Sequence, residues 1–110
     1  MKAAIFHPKA RPAIQEFPKE VRRELGKAIF DLQKGEKLGM PLSRTMSSVG
    51  VGVEELRVKD RSGIYRVFYY ARLMDRIVVF HAFIKKTQQT PKHEIDLGKK
   101  RLKEILDETI

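Results

Sequence analysis

Hydrophobic residues recur along this chain at two spacings, and the first half contains one example of each. A short apolar run at 3–6 ends at a His-Pro pair and predicts a first strand. After Pro18, apolar residues recur every three or four positions until Gly35, which predicts an amphipathic helix. The residues on this stripe are Val21, Leu25, Ala28, Ile29 and Leu32. The residues between these two elements, 11–17, are compatible with a short additional helix.

The second half of the chain predicts three strands followed by a helix. The segments 53–59, 64–73 and Arg76–Lys85 are rich in β-branched and aromatic residues, and turn sequences separate them. Thr90 and Pro91 suit the N-cap and the first position of a terminal helix. The stripe of this helix that would face a core consists of Ile95, Gly98, Leu102, Ile105 and Leu106.

The order of these elements predicts the fold class. A strand, a helix, three strands in quick succession and a final helix are typical of an α+β protein. We therefore expect a mostly antiparallel four-stranded sheet packed against an N-terminal and a C-terminal helix, with the glycine-rich segment 35–52 as a long loop. A chain of 110 residues with 42% hydrophobic residues has the size and composition of one globular domain, so residues 1–110 are predicted to form a single domain.

The composition excludes several classes of chemistry. No cysteine is present, which rules out disulfides, thiolate catalysis and cysteine-bound zinc. The three histidines, at positions 7, 81 and 93, lack the spacing of a metal site, and no glycine-rich phosphate loop occurs, so we expect neither a metal nor another cofactor. No apolar run approaches the roughly 20 residues of a membrane span, and no signal peptide is evident. A cytoplasmic protein without a membrane partner is therefore expected.

Positive charge is concentrated in one part of the chain. The net charge of +9 makes an anionic partner the first expectation. The region of the first long helix, 16–36, has five basic and five acidic residues, and the last helix, 94–108, has four and five. Between residues 57 and 92 there are nine basic residues and two acidic ones, so this segment carries a charge of +7. The excess lies on the predicted hairpins and on the segment after them.

Strand geometry places much of this charge on one face of the sheet. Side chains alternate between faces along a strand, and each hairpin turn determines which residues are opposite one another. The turn at 60–63 puts Arg57 opposite Arg66, and the next turn puts Arg66 opposite Phe83. The predicted basic face consists of Arg57, Lys59, Arg66, Phe83 and Lys85. The reverse face is apolar and is predicted to be covered by both helices; it consists of Leu56, Val58, Tyr65, Val67, Tyr69, Val78, Phe80, Ala82 and Ile84.

The basic face indicates a ligand. Like charges that lie opposite each other on a sheet destabilise it by about 0.2–1 kcal/mol per pair, so folding alone does not favour this arrangement. Guanidinium groups bind phosphate oxygens in pairs, and each neutralised phosphate adds affinity. Phe83, with Tyr70 and Phe68 further along the same face, is a candidate for stacking on an unpaired base. Ordinary core packing is the alternative for the two phenylalanines. The face therefore predicts binding of a nucleic acid.

The same strands resemble a known family. Three runs carry the likeness, which extends from the first strand to the last helix: Glu55-Leu56-Arg57, Tyr65-Arg66-Val67, and Phe83-Ile84-Lys85-Lys86-Thr87 with Pro91. They are similar to toxins of the RelE/ParE superfamily and, more narrowly, of its phage-derived HigB-like branch. In one respect the chain departs from this pattern, since RelE uses a tyrosine downstream of its last basic site and no tyrosine follows Tyr70 here.

This resemblance implies a function and partners. It implies the toxin of a type II toxin–antitoxin system, an mRNA endonuclease that acts on messages in the ribosomal decoding site. It also implies a cognate helix-turn-helix antitoxin that blocks the toxin. Operator DNA would be bound only through the complex of the two proteins.

The chemistry of RNA cleavage assigns roles to the candidate residues. A metal-independent ribonuclease must orient the strand, move protons and stabilise the charge that forms when a 2′-hydroxyl attacks the adjacent phosphate. Arg57 and Arg66 are candidates for phosphate orientation and charge stabilisation. Lys85 or Lys86 is the candidate general acid or base, because neighbouring cations favour the neutral amine. Lys59 completes the predicted catalytic set.

Four further residues are candidates for the same site. Arg61, Phe83 and Lys92 are predicted to bind RNA. His81 is a candidate acid or base because the unperturbed pKa of histidine is about 6.5 and the residue shares a predicted face with Lys85. The alternative for His81 is a buried histidine of the core.

Three other functions stay open on the sequence. A non-catalytic RNA- or DNA-binding module would need only the basic face. A ParE-like inhibitor of DNA gyrase would use the same fold, and a purely structural partner-binding protein is disfavoured by the charge on one face. The nuclease hypothesis, unlike the non-catalytic module, predicts that Arg66→Ala abolishes RNA cleavage and growth arrest. A supercoiling assay beside an assay of ribosome-dependent cleavage distinguishes it from the gyrase inhibitor.

Overall fold

The computed structural model describes residues 1–85 and 89–109, and this part of the chain contains three helices and five strands. In chain order the elements are β1 (Ala3–Phe6), α1 (Ala10–Gln15), α2 (Lys19–Gln33), β2 (Ser43–Thr45), β3 (Val53–Asp60), β4 (Gly63–Tyr70), β5 (Arg76–Lys85) and α3 (Lys92–Thr109). The predicted α+β class is confirmed. Lys86, one of the predicted catalytic residues, lies outside the described residues.

One sheet contains all five strands, in the order β1-β5-β4-β3-β2. β1 runs parallel to β5, and every other neighbouring pair is antiparallel. The sheet is therefore mostly antiparallel, as predicted, but it has five strands instead of four and one parallel pair at its edge. The additional strand, β2, lies inside the segment predicted as a loop. Its three residues show no apolar alternation, and the strand is held by pairing with β3 and by a buried 2.6 Å hydrogen bond between Ser43 Oγ and the Tyr69 hydroxyl.

Strands β3, β4 and β5 have the predicted register at the end of the sheet beside the β3–β4 turn. Asp60 Oδ1 closes the first turn by accepting hydrogen bonds from the Ser62 backbone N–H at 2.7 Å and from the Ser62 hydroxyl at 2.6 Å. Arg57 is opposite Arg66, and Arg66 is opposite Phe83, as the turn sequences predict. The five residues of the predicted basic face therefore share one face of the sheet.

A β-bulge changes the faces further along β5. Phe68 pairs with His81, but the next residue, Tyr69, pairs with Val79, so Phe80 has no partner on β4. One extra residue reverses the alternation of side chains on the strand beyond it. The prediction that Val78 and Phe80 share a face with Tyr69 is therefore wrong.

The sheet is covered on both faces. The first core cluster packs α2 against one face through residues that include Leu25, Leu56 and Val67. The second packs α3 against the opposite face, which includes Phe68 and Phe80. The prediction that both helices cover one face is wrong, because the bulge and the phenylalanines make part of the arginine-bearing face apolar as well. No helix among residues 1–85 and 89–109 is long and apolar enough to span a membrane.

The α3 helix lies very close to the sheet at Gly98. A Cβ atom at this position would be 2.8 Å from Phe68 Cδ2, well inside van der Waals contact. Glycine therefore permits the helix to approach the phenylalanine ring at this point. The helix begins at Lys92, so Thr90, predicted as its N-cap, lies one residue too early for that role.

Candidate nucleic-acid interface

Three arginines surround one buried carboxylate on the basic face. We call Arg44, Arg57, Arg66 and Glu55 the arginine cluster. Glu55 Oε1 lies 2.9 Å from Arg44 Nε, 2.9 Å from Arg66 Nη1 and 3.8 Å from Arg57 Nε. Strand pairing explains the arrangement, since β2 places Arg44 directly opposite Glu55 and β4 places Arg66 directly opposite Arg57. Thr90, in the segment before α3, donates its hydroxyl to Glu55 Oε2 at 3.4 Å.

The three arginines differ in their access to solvent. The side chain of Arg44 is 30% exposed and that of Arg57 is 11% exposed, whereas Arg66 is fully buried. Burial lowers the pKa of the Arg66 guanidinium, and the adjacent Glu55 carboxylate partly offsets this effect. The predicted basic face is therefore not open to solvent at Arg66, where the guanidinium is buried against Glu55. A ligand that approaches from solvent meets Arg44 and Arg57 first.

The cluster keeps a positive charge despite its carboxylate. Three guanidinium groups and one carboxylate give the cluster a net charge of +2. The Glu55 carboxylate therefore contacts both Arg57 and Arg66 and offsets the repulsion between these two like charges. The sequence does not predict Glu55 as a member because this acidic residue lies just before the basic segment 57–92. It does not predict Arg44 because the segment 35–52 has the composition of a loop. The spacing of Glu55 and Arg57, two residues apart on one strand, was the signal that could have linked them.

A second set of cations lies at the hairpin end of the same face. We call Lys59, Arg61 and Lys85 the basic rim. Lys59 and Lys85 are both opposite Ile64, one on each neighbouring strand, so about 10 Å of sheet separates their backbones. Lys59 and Arg61 are exposed, and Lys85 is half-buried. The rim therefore extends the positive surface from the arginine cluster to the β3–β4 turn.

The two phenylalanines among the predicted stacking residues are packed into the core. Phe68 is fully buried, and Phe83 is only 8% exposed. Their ring centroids are 5.5 Å apart in an edge-to-face arrangement, and the Phe83 ring also lies 5.3 Å from that of His81. Ordinary packing, the alternative to base stacking, therefore accounts for Phe68. Phe83 forms a mostly covered floor beside the arginine cluster.

Comparison with known families identifies the group to which this fold and surface belong. A family model for phage-derived, Gp49-like proteins matches residues 12–103, from α1 to α3. The chain belongs to the Gp49-like family. This family is part of the RelE-like group of type II toxin–antitoxin toxins. A search of curated proteins found no match.

In this Gp49-like protein, His81 joins the sheet to α3. Arg101 Nη1 donates to His81 Nδ1 at 2.6 Å, and His81 Nε2 lies 2.8 Å from Glu94 Oε1. Because a guanidinium can only donate, Nδ1 is the acceptor and Nε2–H donates to the carboxylate, so the ring is neutral. Burial, together with the charge of Arg101, lowers the pKa of His81 in spite of Glu94. With both ring nitrogens engaged and the ring buried, this geometry favours the core alternative for His81 over a role as acid or base.

A second histidine–carboxylate pair holds the other end of α3. His7 Nδ1 accepts a hydrogen bond from the Lys9 backbone N–H at 3.1 Å, and His7 Nε2 lies 3.0 Å from Glu104 Oε1. The hydrogen bond to His7 lowers the pKa of Glu104.

Lys92, which is predicted to bind RNA, is the first residue of α3 and is exposed. Its Nζ lies 3.0 Å from Asp96 Oδ2. It belongs to the surface of this helix and not to the face of the sheet.

Proposed function

We propose that this Gp49-like protein is the toxin of a type II toxin–antitoxin system and that it inhibits translation by cutting mRNA. The proposal includes the HigB-like branch, action on messages in the ribosome, and a metal-independent reaction. Membership of the RelE-like toxin group supports the toxin role. The observation that carries the choice of RNA as substrate is the arginine cluster beside the basic rim. Their strand residues share one face of four adjacent strands, and Arg61 lies in the turn between two of these strands.

The reaction we propose uses the 2′-hydroxyl of the RNA as nucleophile. The bond from the 2′-oxygen to phosphorus forms and the bond from phosphorus to the 5′-oxygen breaks, leaving a 2′,3′-cyclic phosphate and a 5′-hydroxyl. A base takes the proton of the 2′-hydroxyl, and an acid returns a proton to the departing 5′-oxygen. The phosphate gains negative charge in the transition state. Cations held in fixed positions beside it therefore stabilise the transition state more than the bound substrate, which accelerates the reaction.

The geometry supports a division of these roles among the candidates. Arg57 and Arg44 reach solvent from the arginine cluster, which supports a role for them in binding phosphate oxygens, as guanidinium forks do. Arg66 is buried beneath them and acts by supporting Arg57 from the neighbouring strand. Lys59 and Lys85, in the row beyond Arg57, are the candidates for proton transfer. Arg61, at the tip of the turn, would contact the RNA backbone further along the strand.

The remaining partners follow from the same proposal. A ribosome that holds the message would supply the substrate in an extended form, and a helix-turn-helix antitoxin would block the basic surface. Operator DNA would be bound by the complex of toxin and antitoxin. The site of action would be the cytoplasm, where messages are translated.

Substitution of Arg57 tests this proposal with a matched control. The wild-type chain is expected to cut mRNA in a translation reaction and to arrest growth when expressed. Arg57→Ala should lower the cleavage rate by about 100-fold, the loss that follows removal of one group that stabilises transition-state charge. Arg23→Ala removes the same type of side chain from the exposed surface of α2, on the other side of the sheet, and should leave cleavage unchanged.

Two results would contradict the proposal, and each points to a different function. Tight binding of RNA by the wild-type chain without any cut, with or without ribosomes, would indicate a non-catalytic nucleic-acid-binding module. Inhibition of supercoiling by purified gyrase, with intact mRNA in the same cells, would indicate a ParE-like toxin. Primer extension on cellular mRNA and a supercoiling assay distinguish these results.

A further inference from the structure

We propose that Glu55 is a positioning residue, whose buried charge holds the arginines of the cluster in the orientation that receives a phosphate. This inference rests on the proposed function, because it assigns a role in RNA cleavage. It concerns a residue with the wrong charge to bind RNA itself. Glu55 therefore acts through the arginines and not on the substrate.

The contacts of Glu55 support this role. The carboxylate is fully buried, and Oε1 accepts from Arg44 and Arg66 at 2.9 Å each while Arg57 lies at 3.8 Å. Oε2 is used as well, because the Thr90 hydroxyl donates to it at 3.4 Å. One carboxylate therefore connects β2, β3, β4 and the segment before α3 at a single point.

Folding alone gives little reason for a charge at this position. Glu55 lies in the same row of the sheet as Phe68 and His81, next to apolar residues of the core. Buried ion pairs are expensive to desolvate, and well-packed apolar residues can often replace them without loss of stability. A sheet face that served only for packing would not require three arginines around one acid. A face that must present guanidinium groups in one orientation does require an anion among them.

The inference predicts a result opposite to that of simple electrostatics. If the cluster acts only through its net charge, removal of the Glu55 charge raises that charge from +2 to +3 and strengthens both RNA binding and cleavage. If Glu55 positions the arginines, removal of its charge leaves binding equal or stronger but slows cleavage, because the guanidinium groups lose the anchor that orients them. The cleavage rate should therefore fall without any loss of affinity for RNA.

The test compares Glu55→Gln with Glu54→Gln. Both substitutions remove one negative charge without changing side-chain size, but Glu54 lies on the opposite face of β3. The measurements are kcat and KM for RNA cleavage, and the Kd of an RNA oligonucleotide whose cleavage-site nucleotide carries no 2′-hydroxyl. Glu55→Gln should lower kcat by about 100-fold with an equal or lower Kd, and Glu54→Gln should change neither. Circular dichroism and Tm establish the folded fraction of each variant.

A second variant keeps the test informative if Glu55→Gln does not fold. Glu55→Asp retains the buried charge and shortens the side chain by one methylene group, so it should fold and still lower kcat, by about tenfold, with an unchanged Kd. Wild-type kcat in whichever variant folds would overturn the inference. A loss of kcat and RNA binding in proportion to the folded fraction would also overturn it. A wild-type chain that cuts no RNA would instead overturn the proposed function, and the inference with it.

Discussion

Replacing Gly98 by alanine tests the close contact between α3 and the sheet. The new Cβ would lie 2.8 Å from Cδ2 and 3.0 Å from Cε2 of Phe68, and 3.3 Å from Cγ1 of Val49. Phe68 cannot move aside easily, since it is fully buried and packs against Phe80 and Phe83. The helix must therefore shift away from the sheet to accept the methyl group.

The size of the effect follows from two opposing contributions. Forcing an extra carbon into a filled core costs about 1–3 kcal/mol, whereas alanine in a helix interior is more favourable than glycine by about 1 kcal/mol. Gly98→Ala should therefore lower the free energy of unfolding by between zero and about 2 kcal/mol. Gly26 is the matched control, because it lies within α2 and, apart from the adjacent residues and backbone of that helix, no described atom would lie within 4 Å of an added Cβ. Gly26→Ala should raise stability by about 1 kcal/mol.

Urea unfolding followed by circular dichroism measures both variants. The difference between them removes the shared gain in helix propensity and leaves the steric cost, about 1–3 kcal/mol. For a chain of this size, each kcal/mol corresponds to about 4 °C in Tm. Equal stabilisation by the two substitutions would refute the reasoning, because it would mean that α3 does not approach the Phe68 ring at Gly98.

Two further predictions concern buried charged or titratable groups. Burial lowers the pKa of His81, so below about pH 6.5 the unfolded chain binds more protons than the folded one. The free energy of unfolding should therefore decrease as the pH falls from about 6.5 to the lowered pKa, by at most about 1.4 kcal/mol per pH unit. Urea unfolding between about pH 5.5 and 7.5 should show this slope in the wild type and a smaller one in His81→Gln, and parallel curves would contradict it. Arg66→Ala should cost about 3–5 kcal/mol, because it removes a buried partner of Glu55, and more than Arg57→Ala, whose side chain is partly exposed. Equal losses of stability in the two arginine variants would contradict the burial of Arg66.

The register of the β3–β4 hairpin could be predicted because local sequence determines it. The turn residues from Asp60 to Gly63 set the pairing of β3 with β4, so the position of Arg57 opposite Arg66 followed from counting residues. The bulge in β5 could not be predicted in the same way. It lies in a continuous apolar run without glycine or proline, and its apolar residues suit either face of a sheet that is covered on both sides.

The missing members of the candidate site have a different cause. Arg44 reaches the site only because β2 pairs with β3, and the contacts that hold β2 come from residues distant in sequence, such as Tyr69. Glu55 was visible in the sequence, but its significance depends on being buried among three cations. Tertiary burial of this kind, like the burial of Arg66, is not encoded in the alternation of a single strand.

The change in character along β5 explains how one face both packs against a helix and exposes basic residues. On the face covered by α3, this strand passes from Phe80 through His81 and Phe83 to Lys85. The helix packs on the apolar end, and its contacts reach the middle of the face through Glu94, which accepts a hydrogen bond from His81. The charged end, with the basic rim, therefore lies beyond the helix and stays accessible. Because the same helix anchors the segment that carries Thr90 against Glu55, docking of α3 and ordering of the arginine cluster are structurally linked.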